Sequence, residues 1–170
     1  METEGEKAPL NEDFEMSAGD EFNLINNVVG DGIQKDKGIG INALTFDSHE
    51  ELLWIGTKSG HVTSYYGPQL QKYTSFQIHA EDEVRNILTM DSSILALTQT
   101  SLRSQLRRGI PCFTHTSEHM SDMHSMHINN RTHRVLMGGM QEKMIELDLT
   151  SVRETRVEEI ESGGTCAILR

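Results

Sequence analysis

The residues with the most explicit chemical spacing are His115-Thr116-Ser117-Glu118-His119, which match the H-x-x-E-H pattern of a zinc peptidase. That chemistry needs two imidazoles one helical turn apart on one face, with the glutamate as base between them. The run follows Gly109-Ile110-Pro111-Cys112-Phe113-Thr114, which reads as a strand, and it falls where a loop between two sheets belongs. Without a helix the spacing has no meaning, and the match is read as fortuitous. His124, His127 and His133 enrich the neighbourhood and allow opportunistic metal binding at most.

Other short patterns fail on context. Gly38-Ile39-Gly40-Ile41-Asn42-Ala43 has the form of a dinucleotide fingerprint, but a charged linker precedes it and a strand follows. The fingerprint requires the reverse, a strand before and a helix N-terminus after to hold the pyrophosphate. Asp13-Phe14-Glu15 has the D-x-E form of metal-dependent exonucleases, yet it lies in a polar tail. Such carboxylates must sit on a rigid strand to hold two ions about 4 Å apart. Asn130-Arg131-Thr132 is a glycosylation sequon in form and a turn by context. No catalytic, cofactor-binding or metal-ligating residue is assigned, and no small-molecule ligand is expected.

The elements are far more legible. Gly40–Phe76 reads as four strands: Ile41–Phe46, Leu52–Thr57, Val62–Tyr66 and Lys72–Ile78. β-branched and aromatic residues fill the runs; Asp47-Ser48-His49-Glu50, Lys58-Ser59-Gly60 and Gly67-Pro68-Gln69 fill the corners. Runs able to open such a unit begin at Ile41, Val84, Met123 and Thr165, spaced by 43, 39 and 42 residues. Four strands recurring every 40–45 residues is the period of a WD-repeat β-propeller.

Registering the first unit on the third lays Leu53-Trp54-Ile55-Gly56 over Val135-Leu136-Met137-Gly138. The third strand of a WD repeat reads glycine, any residue, valine, two more, then Trp-Asp. Gly60-His61-Val62 opens that pattern, and Tyr65-Tyr66 and Leu147-Asp148 stand at its end. The blade signature is therefore Trp54, Gly56, Gly60, Val62, Tyr65, Tyr66, Gly138, Leu147 and Asp148. In the second unit Leu102-Arg103-Ser104-Gln105-Leu106 looks too polar for a buried third strand.

The expected fold is all-β: a partial propeller of about three four-stranded blades plus the start of a fourth. Its expected layout is an acidic, disordered tail at 1–21, a ring-closing strand and linker at 22–39, and an incomplete propeller at 40–170. The blades fall at 40–79, 84–115 and 123–160, with the next starting at 165. Three blades do not close a ring, so the chain reads as a fragment whose last blade would show an apolar face.

Composition fits. The chain has 170 residues, a net charge of -11 and a mean hydropathy of -0.46. Residues 1–23 hold eight acids against Lys7 alone. Such a surface repels phosphate, leaving Arg103, Arg107 and Arg108 as a local basic cluster, expected to be a solvated blade edge. No uncharged run approaches the roughly 18 residues of a membrane span, and no apolar signal segment opens the chain. The expected location is cytosolic or nuclear, with Cys112 and Cys166 as free thiols.

The first blade also resembles a particular family. Phe46-Asp47, Glu50-Glu51-Leu52-Leu53-Trp54-Ile55-Gly56, Gly60 to Pro68 and Leu70-Gln71-Lys72-Tyr73-Thr74-Ser75-Phe76 are similar to the first blade of catalytic subunits of the poly(A)-nuclease deadenylation complex. The resemblance covers about residues 40–170. It implies the propeller, here part of a seven-bladed ring, of a subunit whose separate 3′ exoribonuclease domain shortens mRNA poly(A) tails with a divalent metal, magnesium. Every catalytic acid would lie in that domain, leaving this chain a non-catalytic scaffold. Implied partners are the complex's regulatory subunit and, through it, poly(A)-binding protein and the poly(A) tail. The implied location is the cytoplasm with its mRNA-decay granules, and the nucleus. The competing expectation is a WD-repeat adaptor unrelated to deadenylation.

Overall fold

The structure, a computed structural model, describes residues 40–160. Twelve strands form three antiparallel four-stranded sheets, each a meander in sequence order. The first holds β1 (Ile41–Phe46), β2 (Leu52–Thr57), β3 (His61–Tyr66) and β4 (Gln71–Gln77). The second holds β5 (Val84–Thr89), β6 (Ser93–Thr98), β7 (Leu102–Leu106) and β8 (Pro111–His115). The third holds β9 (Met123–Asn129), β10 (Arg134–Gly139), β11 (Lys143–Asp148) and β12 (Arg153–Glu159). The tail at 1–21, the strand and linker at 22–39 and the start at 165 lie outside the described residues.

Sheets pack face to face through their leading strands: β5 against β1 and β2, β9 against β5 and β6. Side chains alternate across a strand, so a sheet between two others must be apolar on both faces. β6 shows this directly. Ile94 and Ala96 join Trp54, Val62, Val84 and Ile87 in the core between the first two sheets. Leu95 and Leu97 join Met123, Met126, Val135, Met137, Ile145 and Leu147 in the core between the second and third. An unbroken apolar run is the consequence of two buried faces.

The repeat is tighter than the leading strands suggest. β2 begins at Leu52, β6 at Ser93 and β10 at Arg134, a step of 41 residues each time. Trp54, Leu95 and Leu136 thereby occupy one position, facing the following sheet. Trp54 and Leu95 are fully buried, whereas Leu136, on the outer face of the third sheet, is 39% exposed.

Two glycines of the signature are fixed by packing. Gly60 has φ 73°, and a Cβ there would stand 1.9 Å from the His79 carbonyl oxygen. The Gly60 carbonyl accepts from Ile78 N and His79 N, closing the first blade onto the linker to the second. A Cβ on Gly56 would meet Val84 Cγ1 at 2.5 Å; β5 approaches β2 that closely because Gly56 has no side chain.

Two expectations are corrected. Leu102–Leu106 is a paired third strand, with Leu102, Ser104 and Gln105 buried. Its polar residues are accommodated between sheets, and the Gln105 Oε1 and Arg103 Nε atoms are enclosed with no hydrogen-bond partner in the structure. The outer face of the third sheet is not a continuous apolar surface among the described residues. Beside Leu136 it carries the Arg134–Glu146 pair at 2.6 Å and the Arg156–Glu158 pair.

Candidate functional site

Antiparallel meanders place alternate corners at opposite ends of a blade. One rim gathers the β1–β2 and β3–β4 corners with the β5–β6 and β7–β8 corners of the next sheet. Asp47 opens the first of these. Its Oδ1 accepts from the backbone N–H groups of His49 at 2.9 Å and Glu50 at 3.2 Å, shaping the corner as a local turn. Its Oδ2 accepts the indole N–H of Trp54 at 2.9 Å.

Arg107, from the following blade, completes the arrangement. Its Nε and Nη2 donate to the two Asp47 oxygens, both at 2.8 Å, in a bidentate fork. The same guanidinium donates to the Met90 and Asp91 carbonyls, at 2.8 and 2.7 Å. The Asp47 side chain is 0% exposed and that of Arg107 12%. Burial alone would raise the Asp47 pKa, but the bonds from Arg107, Trp54 and the His49 backbone outweigh it and hold the carboxyl at about 2. Arg107 is pushed above its ordinary value, with the Asp47 bond the largest cause. The expected solvated cluster of Arg103, Arg107 and Arg108 is thus corrected at its centre: Arg107 is a partly buried clamp between blades, and Arg108 is exposed.

Beside the clamp lies an open groove of about 420 Å³ lined by Glu50, Glu51, Leu52, Tyr66, Tyr73 and Arg107. Tyr66 and Tyr73 meet edge to face, centroids 6.4 Å apart at 83°. Tyr66 Oη donates to Gln71 Oε1, which fixes its ring.

The opposite rim carries a second polar row. Register shifts leave Asn42, Arg85 and His124 as extra residues near the start of β1, β5 and β9. Bulges re-aim side chains, and these three turn toward one another's sheets. Asn42 Nδ2 donates to Glu83, which pairs with Arg85. Arg85 Nη1 lies 2.7 Å from His124 Nδ1, and His124 Nε2 lies 3.3 Å from Asp122. Within the row the Arg85 Nε atom is enclosed with no hydrogen-bond partner in the structure.

The signature residues take structural places. Trp54 and Val62 are fully buried in the first inter-sheet core and Leu147 in the second, while Tyr65 is buried and Tyr66 lines the groove. Asp148 Oδ1 accepts from Thr150 N at 2.7 Å and Ser151 N at 3.1 Å, making the β11–β12 turn. Gly138 sits in β10 opposite Ser125 and Met144. The H-x-x-E-H run forms no metal centre: His115 is on β8 and its Nε2 lies 3.0 Å from Glu154 of β12, and Glu118 is exposed. Among the described residues no three His, Cys, Asp or Glu groups converge as metal ligands. Cys112 is free and exposed; Cys166 and Asp13-Phe14-Glu15 lie outside the described residues. Among the described residues no helix is long and apolar enough to cross a membrane.

The fold and the sequence both have matches among known proteins. The PAN2 N-terminal family matches residues 28–170. The chain belongs to that family. Over 127 residues it is 39% identical to the PAN2-PAN3 deadenylation complex catalytic subunit PAN2 of Gallus gallus and 38% to that of Homo sapiens. Each match takes in 75% of this chain and 10% of the relative, so the chain spans a tenth of those proteins' length. Its structure is similar to the Neurospora crassa Pan2 WD40 domain, with TM-score 0.72 and 29% identity over 78% of this chain and 42% of that one. A computationally designed protein, Ika8, shares the fold alone, with TM-score 0.59 and 16% identity. The all-β WD40 architecture and the family resemblance are both as expected from the sequence.

Proposed function

We propose that this chain is a non-catalytic propeller segment of a PAN2-type deadenylase subunit, serving as a platform for the regulatory subunit and poly(A)-bound protein. The observation carrying this reading is the family match over residues 28–170, on a part of the molecule whose buried acid is committed to structure. Asp47 is saturated by Arg107 and Trp54 and has no capacity left for a metal ion. On this reading the divalent metal, magnesium, and every catalytic acid belong to a nuclease domain elsewhere in the subunit. Poly(A)-binding protein and the mRNA tail are reached through the partner, in the cytoplasm, its decay granules and the nucleus. The family match weighs against an unrelated WD-repeat adaptor.

The test uses the whole subunit with and without residues 40–160. Deletion should leave shortening of naked oligo(A) within about twofold and slow shortening of poly(A) coated with its binding protein about tenfold or more, a transition-state loss near 1.4 kcal/mol. Equal rates on coated substrate would sink the platform reading. Capture of the PAN3-type subunit by the 170-residue chain is the complementary measurement.

A further inference from the structure

We propose that the groove between the first two blades is a docking site for an arginine side chain presented by an extended, basic segment of a partner protein. Four observations lead there. The groove is concave and of side-chain size, about 420 Å³. Its walls are two half-exposed aromatic rings, Tyr66 at 44% and Tyr73 at 45%, set edge to face. Its mouth carries Glu50 and Glu51, both exposed and in none of the ion pairs among the described residues. Its single cation, Arg107, already faces the Asp47 carboxylate and two carbonyls, so it contributes no free charge.

The charge left over is negative, and the surface beneath it is aromatic. A cation is attracted to the ring face by its quadrupole, and carboxylates at the rim accept its hydrogen bonds. Arginine suits both walls better than lysine, because a planar guanidinium stacks on tyrosine while its edge forks onto a carboxylate. A nucleic-acid strand would find the rings, but Glu50 and Glu51 repel its phosphates. The site is also pre-organised. Tyr66 is held by Gln71, and Tyr73 occupies the register shift between β3 and β4, where an extra residue redirects the side chain. The two glutamates sit on a corner fixed by Asp47 through His49 N and Glu50 N.

The inference stands apart from the platform reading, since it needs no regulatory subunit. The experiment titrates the full 170-residue chain, 15N-labelled, with the peptide acetyl-Gly-Arg-Gly-Arg-Gly-amide and follows the amide signals of Glu51, Tyr66 and Tyr73. Saturable shifts localised to these residues are expected. Citrulline in place of both arginines should abolish them, and lysine should weaken binding about threefold. Tyr73→Ala and Glu51→Gln should each weaken binding about threefold to tenfold, the scale of a lost cation–π contact or exposed charge pair, while Tyr73→Phe should hold it within about twofold. Glu51→Gln changes an exposed residue and leaves the fold intact, so it decides the matter if Tyr73→Ala fails to fold. Binding that is indifferent to both substitutions, or equal for the citrulline peptide, overturns the proposal. So does displacement of the peptide by a twelve-residue oligo(A), which would make the groove a base-stacking surface.

Discussion

Asp47 gathers bonds from two backbone N–H groups, one indole and both arms of a guanidinium. Each donor answers part of the cost of burying a carboxylate. Asp47→Ala would strand the Arg107 charge and the Trp54 indole, and urea unfolding should show a loss of about 3–5 kcal/mol. The pH dependence follows from the depressed pKa. Asp47 titrates near 3.8 when unfolded and at about 2 when folded. Its contribution, about 2 kcal/mol, is complete above pH 4 and disappears as pH falls through 2. Unfolding curves at pH 5 and pH 2 should therefore differ by at least that amount, and Asp47→Asn should remove that part of the difference. The pairing itself could not be read locally in the sequence, because Arg107 is 60 residues from Asp47. Arg107 stands one 41-residue step after Tyr66 and one before Asp148, so it fills in the second blade the position where the other two carry signature residues. That equivalence was the available signal, and the polarity of the second blade's third strand hid it.

At the scale of elements, apolar runs were easy to read because two covered faces leave no room for polar alternation. β2 and β6 are of this kind, and their sequences declare it. β7 did not declare itself, since Arg103, Ser104 and Gln105 have strand geometry without strand-like residue types. Pairing with β6 and β8 imposed what local propensity did not. One aligned position separates repeat from environment. Leu95 lies wholly between sheets; Leu136, its counterpart, does not. Leu95→Ala should cost about 2–5 kcal/mol by the cavity it leaves. Leu136→Ala should cost no more than about 1 kcal/mol, half its side chain's transfer energy being already forgone. Equal midpoints in chemical denaturation for the two variants would contradict the sandwich arrangement of β6.

Over the whole described array, the two cores between sheets differ in kind. The first is built around Trp54 with Val62, Val84, Ile87 and Ile94. The second holds Met120, Met123, Met126 and Met137 among its buried residues. Thioethers fill irregular gaps well, because their unbranched chains adapt. They also make the seam chemically addressable. Sulfoxide formation turns an apolar side chain into a polar one, and Met123 at 0% exposure escapes peroxide unless the third sheet parts from the second. Met140, 69% exposed in the corner between β10 and β11, has no such protection. In dilute hydrogen peroxide, peptide mass spectrometry should find Met140 converted at the rate of a free thioether and Met123 at least about a hundredfold more slowly, in proportion to the open fraction. The ratio of the two is a clock for the separation of neighbouring blades: redox chemistry would read out, residue by residue, how firmly one repeat holds the next.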